Sequence, residues 1–175
     1  TKPNEKILVT YLSSTYVKAI EQFPGVDESF PLPFDLPGPI GQFLNQVQPK
    51  CLLIARTDLW PEVLTQTRKK KIPSILFSAT FPKNSSWVSK LWKKTMLKLV
   101  DSIYCVSFDD YDFAIKKLKL DKNKISVLGD TRYDQVVFRL SSPKPLNDHL
   151  ETQGPTLVAG FTWAEDEKEL LPALE

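Results

Sequence analysis

Six short runs of apolar and β-branched residues punctuate the chain: KILVTYL (6–12), CLLIAR (51–56), PSILFSA (73–79), SIYCVS (102–107), KISVLG (124–129) and TLVAGF (156–161). Amphipathic stretches lie between them. Their apolar positions recur every three or four residues and predict helices over 13–22, 38–48, 59–70, 86–99, 109–119, 132–140 and 164–174. Strands of nearly unbroken apolar character that alternate with helices form a parallel sheet covered on both faces. The expected fold class is therefore α/β, a Rossmann-like parallel sheet flanked by helices. Several predicted helices start at recognisable signals: Ser13 or Ser14, Asp35 ahead of Pro37, and Asp58 ahead of Pro61.

Between 141 and 154 the sequence reads SSPKPLNDHLETQG, which fits neither period and carries two prolines. It is expected to be a linker between a domain over residues 1–140 and the first strand and helix of a second α/β unit over 155–175. The first strand arrives within a few residues of Thr1, so an upstream segment is expected as well.

With 175 residues, 42% of them hydrophobic, the chain can bury a substantial core. The two cysteines, Cys51 and Cys105, sit inside apolar runs, which predicts buried, reduced thiols and an intracellular compartment. No run approaches the roughly 20 apolar residues of a membrane span, and the first residues do not resemble a signal peptide. The net charge of +2 conceals an asymmetry: residues 65–100 hold nine of the 23 Lys and Arg and no Asp or Glu. A local surplus of this kind points to an anionic partner.

In open parallel sheets ligands gather outside the carboxyl ends of the strands, where loops meet helix N-termini whose free N–H groups favour anions. Those positions hold Ser13–Thr15, Arg56–Pro61, Ser78–Asn84, Ser107–Asp110, Gly129–Asp134 and Gly160–Glu165. Asp58 can serve there as a helix cap or as a functional carboxylate. Trp60 is expected to be a core or interface anchor in preference to a sugar platform. Arg56 ends an apolar strand, so its guanidinium needs a carboxylate, a phosphate or solvent. Along residues 85–100 a stripe of Val88, Leu91, Trp92, Met96 and Leu99 opposes one of Lys90, Lys94 and Lys98. The segment reads either as a crossover helix with a wet lysine face or as a patch in which Phe81, Trp87 and these lysines meet a lipid-phosphate surface. No recognition-helix, RNP-like or zinc-finger pattern supports nucleic-acid binding. Neither a Gly-x-Gly-x-x-Gly nor a Walker loop is present. The single histidine, His149, lies in the linker, and no residues stand at metal-ligand spacing.

Four elements in order resemble the 3-deoxy-D-manno-octulosonic acid (Kdo) transferases, inverting glycosyltransferases of the GT-B architecture. RTDLWPE (56–62) matches an acidic-Thr-Glu-Leu-Trp-Pro-Asn element, and FSATFPKNS (77–85) loosely matches a strand end with Asn-Ala-Arg-Leu-Ser. GDTRYD (129–134) matches Gly-Asn-x-Lys-Phe/Tyr-Asp, and AGFTWAEDE (159–167) matches Ala-Gly-Ser-Thr-His-x-Gly-Glu-Glu. Arg56, Asp58, Thr80, Phe161 and Trp163 depart from those patterns.

The resemblance implies the N-terminal half of a GT-B fold that receives a lipid A precursor, followed by the start of a domain that binds CMP-Kdo. It implies an orienting role for Asp58, acceptor contacts from Arg56, Trp60, Lys83 and Arg132, and donor contacts from Gly160 and Thr162. Asp134 would cap its helix, and Trp87, Lys90, Lys94 and Lys98 would form the membrane patch. No metal or cofactor is implied beyond the donor substrate. The general base would lie upstream of Thr1, so this polypeptide alone is expected to be inactive. The expected location is the cytoplasmic face of a bacterial inner membrane, peripheral or anchored by an upstream segment. The alternatives are a GT-B transferase using another activated sugar and a non-catalytic module binding an anionic lipid or protein.

Overall fold

The computed structural model describes residues 5–21, 23–82, 86–141 and 157–174. These divide into two compact units, residues 1–134 and 135–175. The first unit is α/β. Its main sheet has four parallel strands in the order β3 (Leu52–Ala55), β4 (Ser74–Ala79), β5 (Ser102–Cys105), β6 (Ile125–Val127). The intervening helices are α3 (Pro61–Lys69), α4 (Trp87–Leu97) and α5 (Phe108–Lys116). Parallel neighbours require such crossovers, because a strand must be carried back to its starting edge before it can pair in the same direction. This is the Rossmann-like architecture expected from the alternating runs. Its core joins Ile54, Leu64, Leu76, Leu97, Val100, Ile103, Leu118 and Ile125, all nearly or wholly excluded from solvent.

Before this sheet come β1 (Leu8–Tyr11), a 3-10 turn (Ser14–Tyr16), α1 (Val17–Glu21), β2 (Glu28–Pro31) and α2 (Pro37–Val47). Strands β1 and β2 pair in parallel as a separate two-stranded sheet, from Leu8 opposite Glu28 to Tyr11 opposite Pro31. The hydrophobic pattern does not predict β2. Its sequence, ESFP, has one large apolar residue and a terminal proline, a composition tolerated only at a sheet edge. Helices α2 and α3 pack together through Ile40, Leu44 and Val63, with Trp60 half-buried against them.

Two expectations about helix α4 and the thiols are corrected. Met96, Leu97, Leu99 and Val100 pack into the core, whereas Trp87, Val88, Leu91 and Trp92 are exposed and Lys90 and Lys94 are half-buried. Only the C-terminal end of α4 and the residues just after it meet the sheet cluster, so the apolar stripe is split. Of the cysteines, Cys105 is buried and Cys51 is exposed, because Cys51 precedes β3 and does not lie inside it.

Helix α6 (Thr131–Ser141) begins in the first unit and runs into the second, where Val136, Val137, Phe138 and Leu140 are exposed. The second unit also contains α7 (Ala164–Leu170), followed by a 3-10 turn. The expected linker, with His149, lies mostly outside the described residues. The expected strand at 156–161 is not formed over its described part, residues 157–161. A strand needs a neighbour to satisfy its backbone groups, and none pairs with this segment among the described residues.

Candidate functional site

Each carboxyl end of the four-stranded sheet leads into a turn with its own set of hydrogen-bond partners. After β3, Arg56 adopts a left-handed backbone, φ 62°, and its N–H donates to the Phe77 carbonyl oxygen at 2.8 Å. The turn then buries Leu59 in the core and leaves Arg56 and Asp58 exposed.

Asp58 does not cap α3. The N-cap position is Trp60, and the carboxylate that serves the helix comes from Asp35, 27 residues earlier. The Glu62 N–H donates to both Asp35 oxygens at 3.1 Å, and the Val63 N–H donates to Oδ1 at 3.0 Å. Asp35 therefore does not cap α2, whose N-cap is Leu36 with no side-chain bond. A tertiary cap satisfies the same orphan amides as a local one and places a negative charge at the positive end of the helix. Asp58 is thereby released from structural duty. No hydrogen bond or ion pair involves its side chain among the described residues.

After β4 the pairing with β5 slips: Leu76 faces Ile103, but Ala79 faces Cys105. The extra residue is absorbed where Ser78, φ 49°, turns left-handed. A bulge re-aims the side chain at its centre. The buried Ser78 hydroxyl accepts the Thr131 N–H at 3.2 Å and is hydrogen-bonded to Thr131 Oγ1 at 3.0 Å. The start of α6 is thus tethered to the end of β4. Further along the same loop Phe81 is buried and stacks on Phe113, ring centroids 6.1 Å apart, and its N–H donates to Asp110 at 2.8 Å. That excludes Phe81 from any surface patch. Ser107 caps α5 by accepting the Asp110 N–H and donates its own hydroxyl to Asp110 at 2.6 Å. Lys83 lies outside the described residues.

After β6 the chain turns at Gly129, φ 94°, a conformation that strains residues with a Cβ. Asp130 follows, its side chain only 3% exposed beside an Arg132 that is 60% exposed. The Asp130 carboxylate accepts the Arg132 backbone N–H at 3.0 Å, Nε at 3.1 and 2.9 Å, and Nη2 at 2.5 Å. These bonds to Arg132 hold the Asp130 carboxyl at a pKa of about 2, and the Arg56 guanidinium adds to the effect at longer range. The same pairing raises the pKa of Arg132. The two arginines named from the sequence, which lie 76 positions apart, therefore both act on one buried carboxylate. Asp134, expected as a cap, sits exposed in the first turn of α6, and Asp130 takes the amide instead.

The sheet-end amides are less free than expected. Asp35 occupies those of Glu62 and Val63, Ser78 that of Thr131, and Asp130 that of Arg132, while the Tyr133 N–H donates to the Asp130 carbonyl oxygen at 3.0 Å. At α3 and α6 an anion would have to be received by side chains, and the exposed guanidiniums of Arg56 and Arg132 are available for it. Neither Asp35 nor Asp130 was singled out as a site residue in the sequence. An acidic residue two positions before an arginine, directly after a glycine, was the one signal that could have marked Asp130.

Within the second unit Gly160 is exposed and the Thr162 hydroxyl donates to Glu167 at 2.9 Å. The Trp163 N–H donates to Asp166 at 2.9 Å, the backbone half of a capping box. Phe161 is left-handed, φ 61°, and fully exposed. Among the described residues no helix is long and apolar enough to cross a membrane.

The family model described as 3-deoxy-D-manno-octulosonic-acid transferase (kdotransferase) matches residues 1–135. The chain is similar to the 3-deoxy-D-manno-octulosonic acid transferase of Haemophilus influenzae, 29% identical over 106 residues, 59% of this chain and 25% of that protein. It is also similar to the protein of the same name from Bordetella pertussis, 26% identical over 107 residues, 59% of this chain and 24% of that protein. The matched stretch spans about a quarter of the length of these curated relatives.

Proposed function

Because the chain belongs to the 3-deoxy-D-manno-octulosonic-acid transferase family, we propose that it is the acceptor-side part of an inverting glycosyltransferase. The full-length enzyme transfers Kdo from CMP-Kdo to a lipid A precursor in lipopolysaccharide biosynthesis. The observation that carries this reading is the division of labour at the end of β3. Asp35 caps α3 from a distance, leaving Asp58 exposed and without a side-chain partner among the described residues, next to the Arg56 cation. A carboxylate that contributes nothing to its own helix is available to orient an acceptor hydroxyl or the base that deprotonates it.

In the proposed reaction the acceptor hydroxyl attacks the anomeric carbon of Kdo, CMP departs, and the hydroxyl proton passes to a general base outside this chain. Asp58 holds that geometry, and Arg56 and Arg132 receive anionic groups of the substrate. Each charge-assisted contact is stronger than a neutral one and needs no metal. Trp60, half-buried against Ile40, Leu44 and Val63, is kept among the acceptor contacts by its place in the matching sequence element. Gly160 and Thr162 are kept as donor contacts by their place in the matching sequence element.

The exposed end of α4 supports a peripheral attachment to an anionic membrane. Trp87, Val88, Leu91 and Trp92 are exposed beside Lys90, Lys94 and Lys98, with Trp87 75% exposed, in a segment that carries no acidic residue. Indoles partition into the headgroup boundary and lysines add attraction to acidic lipid. Replacing Trp87, Leu91 and Trp92 by serine should abolish salt-sensitive binding to anionic vesicles. Unchanged binding would remove α4 from the membrane face.

The decisive experiment assays the full-length protein with CMP-Kdo and tetraacyl lipid A precursor, beside a variant in which Asp58→Asn is the one change. The wild type should release CMP and extend the acceptor, and the variant should lose most turnover with its melting temperature intact. Absence of transfer by a folded wild-type protein would refute the assignment. Normal turnover by the variant would return Asp58 to the solvent-exposed surface.

A further inference from the structure

We propose that Asp130 is a positioning residue, whose buried carboxylate aims the Arg132 guanidinium at a phosphate group of the substrate. The inference rests on the transferase reading above and adds to it a residue and a ligand chemistry. Three observations converge on it.

First, the pair is asymmetric. Asp130 is almost wholly buried, 3% exposed, whereas Arg132 is 60% exposed. A carboxylate placed to be a ligand contact would face outward. This one faces the protein and leaves the cation facing solvent. Second, Asp130 engages Arg132 through Nε and Nη2, one edge of the guanidinium, as well as through the backbone N–H. The fork fixes the plane of the group and leaves the Nη1 donors outside it, without a hydrogen-bond partner among the described residues. A guanidinium held on one edge presents its remaining donors at lower entropic cost than a freely rotating one. Third, the alternative receptor for an anion has been used up. Ser78, Asp130 and the Asp130 carbonyl oxygen take the Thr131, Arg132 and Tyr133 N–H groups. Recognition must pass through side chains, and Arg132 offers one that is both exposed and held. A guanidinium held in this way suits two oxygens of a phosphate.

The sign of one measurement separates positioning from simple neutralisation. Were Asp130 no more than a counter-charge, its removal would leave Arg56 and Arg132 more positive and tighten anion binding. If it positions, removal weakens binding even though net positive charge rises. Asp130→Asn keeps an oxygen to accept the backbone N–H of Arg132, so the turn is preserved.

Binding of inorganic pyrophosphate to the full-length protein, followed through the arginine Nε–Hε NMR signals, should weaken about five- to tenfold in D130N. Arg132→Lys, which keeps the charge but cannot form the fork, should weaken it similarly and serves if D130N does not fold. In an R132A background D130N should add no further loss. Binding that tightens or stays unchanged in D130N, wild-type binding by R132K, or an undiminished D130N effect without Arg132 would each overturn the proposal. KM values for CMP-Kdo and for the lipid A precursor then tell the sources apart: the one that rises in D130N carries the phosphate. A wild-type protein that binds pyrophosphate as described but transfers no Kdo would sink the transferase reading and leave this assignment standing.

Discussion

Replacing Asp35 by alanine should loosen helix α3, although Asp35 lies before α2 and is 27 residues from the amide it serves. The carboxylate satisfies two orphan N–H groups, those of Glu62 and Val63, at 3.0 to 3.1 Å in a half-buried position. Loss of a capping oxygen costs about 1 kcal/mol and loss of a negative charge at a helix N-terminus up to about 1 more, so the expected cost is about 2 kcal/mol. In native-state hydrogen exchange that becomes roughly a 30-fold faster exchange of α3 amides such as Leu64 and Thr67. Asp35→Asn, which keeps one acceptor oxygen and drops the charge, should fall near the middle. Asp58→Ala should change the same amides by less than about twofold, the usual effect of a surface substitution. The comparison is internal to one helix, so it does not depend on whether the whole protein unfolds in a single step. The reasoning fails if D35A leaves α3 protected, or if D58A deprotects it as strongly.

Other outcomes follow from the remaining polar contacts. Ser78→Ala keeps the left-handed strain and loses the hydroxyl, so the Thr131 N–H loses its acceptor; a loss of about 1 kcal/mol is expected in denaturant titration. Ser78→Gly gives up the same hydroxyl but relieves the backbone, so it should cost less than the alanine change. The folded pKa of Asp130, about 2, lies below its ordinary value of 3.8. The stability it contributes is therefore present above about pH 4 and is lost as pH falls through 2. A carboxyl-carbon NMR titration should find that midpoint, and a midpoint near 4 would contradict the fork. Burial and the nearby Asp110 charge push the Cys105 thiol up to about 12, whereas Cys51 is exposed. Peptide mapping after brief alkylation at pH 8 should therefore find Cys51 modified and Cys105 intact until the protein unfolds.

Five of the six apolar runs, in their order, became β1, β3, β4, β5 and β6, and each predicted helix has a counterpart that starts within a few residues of its expected position. Those outcomes were legible because they depend on local chemistry: periodicity, proline at first helical positions, and β-branched clustering. The Arg56 and Arg132 positions were legible as strand-end cations for the same reason. The Asp130–Arg132 fork was not, since it depends on the turn after β6 burying the carboxylate while leaving the cation in solvent. The split stripe of α4 was also hidden. Helical spacing says which residues share a face, but only the packed sheet determines how much of that face it covers.

The sequence by itself determined the α/β alternation, the basic segment and the family-like elements, because each is written in neighbouring residues. Only the tertiary structure decided which carboxylate does which work. Asp35, from another loop, caps α3 and leaves Asp58 in solvent, and Ser78, through a bulge, secures the start of α6. A hydrogen bond is satisfied by whichever acceptor the fold brings within about 3 Å, and sequence separation places no limit on that choice.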